Sequence, residues 1–347
     1  MKSIAIVGLN FGRHIIDSLL QAPARNYFKI AAVCDLDRAK AEAMAARLQC
    51  AAFTSLDSLL KVPSIPVIGL YTGPSGRAAL LRKIIRSGKD VMTTKPFELD
   101  ARAGLAILRE ARRRHRTIFL NSPAPVASPD LAQIARWVKE FNLGRPVGAR
   151  ADTWASYHEK ADGSWYDDTA RCPVAPIFRI GIYLINDLLR LWGEAATVQV
   201  IHSRLRTRRP TPDNAQLAIR FKNGAIGSVY ASFCIDDHQP YRNTLALHYE
   251  QGSIYRNLPP QPGPPGSPEI PTVLTLVARR KNGKAVVRRR VFPAYSHGDY
   301  RWDLLHRVID GKKLGDLDLV SPEQVVAGIK VIAAMARAEK SGGTEKV

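Results

Sequence analysis

The chain reads as an α/β protein in two parts: a doubly wound parallel sheet at the N-terminus, then an α+β domain with a large, mostly antiparallel sheet. Three observations predict this. Up to residue 121, short continuous apolar runs such as 4–7, 30–34 and 67–70 alternate with amphipathic helical segments, as strands buried on both faces require. From residue 148 onward, apolar and polar residues tend to alternate singly, the period of a half-buried strand. Between the two, 122–129 is rich in proline and small residues, which suits a crossover. The expected domains are 1–121 and 122–347, with a last helix over 321–338 packing back on the first.

The opening stretch carries the first functional signal. The apolar run 4–7 stops at Gly8, and after Gly12 the residues Ile15, Ile16, Leu19 and Leu20 recur at helical spacing. A strand, a glycine turn and a helix in that order leave backbone N–H groups and the positive helix end pointing at the turn, where a pyrophosphate can sit. The glycine pattern departs from the usual fingerprint. Asn10 stands where a second glycine is expected, Phe11 follows, and the third glycine is displaced to Gly12. Asn tolerates positive φ, so the turn can survive. The run 30–34 then ends in Asp35, where an acidic residue would meet the adenosine ribose. Two readings stand: a bound dinucleotide, or a βα turn with no ligand. Asp35 favours NAD because its charge repels a 2′-phosphate, and Arg38 keeps NADP open.

The remaining elements of the first part follow in order. A helix over 38–48 leads to a strand at 51–53, and Thr54 or Ser55 caps a helix bearing Leu56, Leu59 and Leu60. The strand 67–70 opens into Thr72-Gly73-Pro74-Ser75-Gly76, a small-residue loop at a strand's carboxyl end, where open α/β sheets bind ligands. A helix through Leu80, Leu81, Ile84 and Ile85 stops at Gly88. Strand 90–93, the segment Thr94-Lys95-Pro96-Phe97, helix 101–114 and strand 117–120 complete the alternation. In the second part a helix is expected over 129–141 and strands over 149–155, 198–204, 216–221, 225–233, 244–249 and 273–277. Asn223-Gly224 marks a hairpin. The stretch 259–271 reads as a proline-glycine loop, and Ser321-Pro322 as the start of the final helix.

Composition narrows the function classes. Hydrophobic content of 46% and charged content of 24% are those of an ordinary globular protein. A net charge of +20 would admit a nucleic-acid binder, but the densest arginine runs, 112–116, 204–209 and 288–290, lie far apart in sequence. They read as a solvated surface that draws in anionic ligands, and no nucleic-acid partner is expected. Cys34, Cys50, Cys172 and Cys234 have no CxxC spacing, which implies free thiols in a reducing compartment. No cluster has metal-ligand spacing, and His158 and His297 read as ordinary polar residues. No apolar run approaches the roughly 20 residues that span a bilayer. Gly8, Asn10, Gly12, Arg13 and His14 break up the N-terminal apolar stretch, so it is not a secretory signal. The expected setting is the cytoplasm.

The segment 177–192 predicts a helix buried almost all round, with Arg179, Tyr183 and Asn186 on one stripe. Either an internal network with Asp187, Asp167 or Asp168 faces this stripe, or the stripe is the wall of a substrate pocket. Lys-Pro after a fifth strand, Thr72 to Arg77 after the fourth, Trp165-Tyr166 and Gly-x-Tyr-x-x-Asn on the long helix together resemble the glucose-fructose oxidoreductase, inositol dehydrogenase and rhizopine-catabolism family (Gfo/Idh/MocA). The resemblance covers most of the chain. It implies an NAD(P)-dependent oxidoreductase that moves hydride between nicotinamide and a secondary hydroxyl or ketone of a sugar, sugar acid or cyclic polyol. Lys95 would orient the cofactor ribose and the substrate hydroxyl, and Tyr183 would exchange the proton. Arg179, Asn186, Trp165 and Tyr166 would bind substrate; Thr72, Gly73, Pro74 and Pro96 would join Gly8, Asn10, Phe11, Gly12, Asp35 and Arg38 around the cofactor. The chain departs from the family pattern at Thr94 for Glu, at Val174-Ala175-Pro176 for a glycine run, and at Arg179 for Asp. Arg179 either makes the pocket cationic and suits a carboxylate, or pairs internally and leaves the substrate neutral. The competing classes are a catalytically silent sensor of dinucleotide or sugar and a redox-cycling glycosidase or lyase. A homodimer or homotetramer built on the open face of the second sheet is expected.

Overall fold

A computed structural model describes residues 1–239, 241–259, 270–279, 283–293, 299–312, 314 and 317–347. Most of the proline-glycine stretch expected at 259–271 lies outside the described residues, as does His297. The chain forms two compact units, Met1–Val126 with Gly298–Val326, and Ala127–His297 with Ala327–Val347.

The first unit is built on six parallel strands: β1 (Lys2–Val7), β2 (Phe28–Cys34), β3 (Ala51–Phe53), β4 (Val67–Leu70), β5 (Asp90–Thr93) and β6 (Ile118–Leu120). Their spatial order is β3-β2-β1-β4-β5-β6, so the order reverses between β1 and β4. That reversal is where a doubly wound sheet opens a crevice at the strands' carboxyl ends. The connecting helices are α1 (Leu9–Leu19), α2 (Arg38–Leu48), α3 (Leu56–Leu60), α4 (Arg77–Arg86) and α5 (Ala101–Arg113). Strands β4 and β5 are buried at every position, because helices cover both faces of the sheet. A helix outside the sequence expectations, α8 (Trp302–Ile309), adds Trp302 and Leu305 to the core formed by Ile4, Ile16, Phe28 and Val33.

The second unit begins with α6 (Pro129–Glu140) and β7 (Pro146–Trp154), and continues through α7 (Ile182–Trp192), β8 (Ala195–Ser203), β9 (Asn214–Phe221) and β10 (Ile226–Ser232). Strands β11 (Arg242–Tyr249), β12 (Gly252–Arg256), β13 (Thr272–Arg279) and β14 (Ala285–Phe292) extend the sheet. Helix α9 (Pro322–Ser341) and β15 (Glu345–Lys346) end the chain. The nine strands lie in the order β14-β13-β12-β11-β7-β10-β9-β8-β15. All neighbours are antiparallel except β7 and β10, which run parallel. The β9–β10 hairpin closes on Gly224 at φ 92°, with the Asn223 side chain accepting from the Ala225 N–H at 3.0 Å.

Candidate functional site

In the first unit, β1 ends at Gly8 and α1 begins at once with Leu9, so the turn is a single residue. Asn10, Phe11 and Gly12 already lie in the first helical turn, and positive φ is needed at Gly8 (85°) rather than at Asn10. A Cβ on Gly8 would stand 2.9 Å from the Tyr71 carbonyl carbon and 3.0 Å from the Thr72 nitrogen. The glycine is therefore required by its own conformation and by the close approach of the chain leaving β4. At Gly12 a Cβ would meet Ile6 Cγ2 at 3.0 Å, which fixes how tightly α1 seats on β1.

The carboxylate of Asp35 faces this helix start. Its Oδ2 accepts the Leu9 N–H at 2.7 Å and its Oδ1 accepts the Asp37 N–H at 3.1 Å. Asp35 thus caps α1 as well as standing at the end of β2. Asn10 is exposed and accepts from Lys40 Nζ at 2.8 Å, Phe11 is 40% exposed, and Arg38 is exposed at the start of α2. Sequence reasoning passed over Lys40 and Leu36, which is 91% exposed beside Asp35. A leucine directly after the acidic residue that closes an apolar run was a signal that could have been read.

The loops after β4 and β5 are joined by Arg77, a residue the sequence marked only as the end of a motif. Its guanidinium is 2% exposed and donates to the Gly73, Thr94 and Pro96 carbonyls at 3.3, 2.8 and 3.1 Å, to the Thr72 carbonyl, and to Thr93 Oγ1 at 3.4 Å. Lys95 is half-buried, Pro96 follows through a cis peptide, and the Lys95 N–H donates to Asn121 Oδ1 at 3.0 Å. Buried Glu98 accepts the Ala78 N–H at 2.8 Å and so caps α4.

In the second unit, the expected single helix 177–192 is a π turn, Ile177–Gly181, running into α7. The wider turn changes which residues align. Arg179, Tyr183 and Asp187 form the half-buried stripe, whereas Asn186 is 6% exposed and its amide oxygen lies against Gly328 of α9. Just before the π turn, buried Val174 takes φ 43°, a left-handed conformation rare for a β-branched residue and natural to the glycine usual there.

Arg179 forms a two-pronged pair with Glu159 at 2.6 and 2.7 Å. Its guanidinium carbon sits 4.2 Å from the Tyr166 ring centroid, 4.9 Å from Phe233 and 5.0 Å from Tyr157. Burial raises both phenols above their ordinary value, and the Arg179 charge offsets part of that rise. Trp165 packs on Tyr166 with centroids 4.0 Å apart. The carboxylates anticipated for Arg179 are engaged elsewhere: Asp167 with Arg209 at 2.6 Å, Asp168 with Arg171 at 3.2 Å, and Asp187 with Arg256 at 2.9 Å. Arg256 also holds the fully buried Asp130 at 2.9 Å, and burial pushes the Asp187 carboxyl up to about 6.

Among the described residues no group of three His, Cys, Asp or Glu side chains could hold a metal ion, and no helix is long and apolar enough to cross a membrane. Cys34, Cys50, Cys172 and Cys234 are free thiols. His158 lies 2.9 Å from Arg206 Nη2.

A reversal-point turn with an exposed helix start and a carboxylate at the next strand end fits a dinucleotide, and this architecture defines the dinucleotide-binding class of doubly wound folds. The chain belongs to the Gfo/Idh/MocA family: residues 2–122 match its NAD-binding Rossmann-fold oxidoreductase domain and residues 131–255 its C-terminal domain. The first unit is accordingly an NAD-binding Rossmann domain. The chain is 24% identical over 302 residues to the uncharacterized oxidoreductase YhhX of Escherichia coli, spanning 81% of this chain and 80% of that one. In structure it is similar to GenD2 from gentamicin A biosynthesis, solved in complex with NAD, with a TM-score of 0.74, 17% identity and coverage of 100% and 96%. It is also similar to the WlbA dehydrogenase of Bordetella pertussis, solved with NADH and UDP-GlcNAcA, with a TM-score of 0.71, 15% identity and coverage of 100% and 98%.

Proposed function

We propose that this oxidoreductase exchanges hydride between NAD and a secondary hydroxyl or ketone of a sugar, sugar acid or cyclic polyol, with Tyr183 as acid/base and Lys95 orienting. One observation carries the proposal: Lys95 stands at the carboxyl end of β5, in the same unit as the Gly8 turn and Asp35, with its backbone held by Asn121. NAD supplies the hydride chemistry. The chain's own residues do the rest. The N-terminus of α1 receives the pyrophosphate, Asp35 the adenosine ribose, and Leu36 offers an apolar surface beside it. Thr72, Gly73 and Pro74 border the cofactor from the next loop. The Lys95 ammonium holds the hydroxyl oxygen, and the Tyr183 phenol takes or returns its proton. Trp165 and Tyr166 border the substrate in this reading, with the Tyr166 ring itself packed against Trp165 and the Arg179 guanidinium. NADP remains the alternative cofactor through Arg38, and the thiol chemistry suits a reducing cytoplasm.

For the substrate's charge, the pairing of Arg179 with Glu159 supports a neutral sugar or polyol. Arg179 and Arg209 face Glu159, Asp162 and Asp167, so the cluster is not a cationic carboxylate receptor. In this reading Arg179 clamps the 157–167 segment onto the π turn.

The test is a panel of neutral sugars and the matching uronates with NAD, followed by nicotinamide absorbance. Wild type is expected to reduce NAD with a neutral member, and Tyr183→Phe to lose about 10²–10⁴-fold in kcat while binding NADH normally. Arg179→Ala is expected to weaken both series alike; a loss confined to uronates would return Arg179 to the substrate. NAD binding without turnover on any compound would favour a sensor over an enzyme.

A further inference from the structure

Lys95 is a long, flexible side chain on a loop, and a flexible ammonium orients nothing unless its backbone is fixed. Two buried side chains fix it. Asn121 holds the Lys95 N–H, and Arg77 holds the carbonyls on either side of it, those of Thr94 and Pro96. The same guanidinium reaches back to the Thr72 and Gly73 carbonyls, so one side chain ties the loop after β4 to the loop after β5. A planar fork with five N–H donors can serve carbonyls in several directions at once, and a lysine ammonium cannot reproduce that geometry. Arg77 is placed for this by its position at the first turn of α4, whose start is capped by Glu98. We propose that Arg77 is a positioning residue: it sets the backbone of Lys95 against the β4 loop so that the ammonium meets bound nicotinamide nucleotide, while making no contact with substrate itself. The proposal rests on the reading that Lys95 serves the cofactor.

The experiment uses the full chain with NAD as the probe. Lys95 is labelled with an amine-reactive reagent and quantified by mass spectrometry with and without NAD, in wild type, Arg77→Lys and Arg77→Gln, with NADH affinity measured in parallel by fluorescence. In wild type, NAD is expected to slow Lys95 labelling by about tenfold or more. In the Arg77 variants that protection is expected to collapse, while NADH affinity stays within about threefold of wild type, because the α1 end of the site is untouched. Full protection in a folded Arg77 variant overturns the proposal. Absence of protection in wild type, with NADH still bound tightly, overturns the reading of Lys95 itself and the proposal with it. A second measurement needs no variant: hydrogen exchange of wild type is expected to show residues 70–78 and 92–98 opening as one unit, and independent opening overturns the link.

Discussion

Asp35 caps α1 through the Leu9 N–H, and in the proposed site the same carboxylate would also meet the nucleotide ribose. Serine at this position keeps a hydrogen-bond acceptor for the cap but removes the charge, leaving Lys40 and Arg38 nearby. Asp35→Ser is expected to narrow the preference for NAD over NADP by on the order of tenfold, about 1.4 kcal/mol, in fluorescence titrations. An unchanged ratio would exclude Asp35 as the discriminating group. A second residue-scale expectation concerns Asp187. Its carboxyl is raised by burial and by Asp130, against the pull of Arg256, to about 6 from an ordinary 3.8. The sign follows directly. Stability tied to this group is fully present below about pH 4 and is lost as pH rises through about 6. Asp187→Asn is expected to flatten the thermal-denaturation profile across that window and to equal or exceed wild type at pH 7 by on the order of 1–2 kcal/mol. A variant less stable than wild type at pH 7 would contradict this. The positions of Gly8, Asp35 and Lys95 just beyond strand ends were legible in the sequence because each follows an apolar run. Arg77 and Glu98 were not, since a buried charge is recognisable only once the backbone groups around it are known.

At the scale of elements, the helix 177–192 shows where sequence periodicity reaches its limit. Every apolar position was visible, but a π turn adds a residue to one turn without changing the pattern of apolar letters, so the stripe moved from Asn186 to Asp187. Asn186 instead meets Gly328, where a Cβ would collide with its amide oxygen. Gly328→Ala is expected to destabilise the protein by about 1–3 kcal/mol, and Asn186→Ala introduced together with it to recover part of that loss. Strictly additive effects in chemical denaturation would show that the two residues do not meet. The alternating strands were read correctly where side chains alternate by type. Strand β14 was missed because its middle is Arg288-Arg289-Arg290, which looks like solvated surface. In the sheet, Arg288 and Arg290 pair with buried Leu276 and Leu274 yet remain exposed, because β14 is the edge strand. Exposed charge along an edge strand discourages further strand addition.

For the whole molecule, one face of the second unit's sheet carries, among the described residues, exposed Ile201, Ile226, Val277, Val287 and Val291. Apolar side chains spread over an open sheet favour a partner over water. A homo-oligomer through this face is the expectation, and Val277→Lys with Val287→Lys is expected to shift light scattering toward the 38.3 kDa monomer. A wild-type chain that is monomeric at micromolar concentration would remove the basis for that surface. Overall architecture was legible from the alternation of elements, whereas α8 was not. Its eight residues fall too far from the first unit in sequence for any local pattern to connect them.

That return of α8 has a consequence for how the protein is made. Trp302 and Leu305 belong to the same core as Phe28 and Val33, with the Phe28 and Trp302 rings 5.6 Å apart, yet the ribosome delivers them after nearly the whole of the second unit. The nucleotide-binding part is first to emerge but is completed only after residues 127–297 have followed. Until then the nascent N-terminal sheet has an apolar flank open to non-native contacts, and a fragment ending at Val126 would inherit the same bare flank permanently.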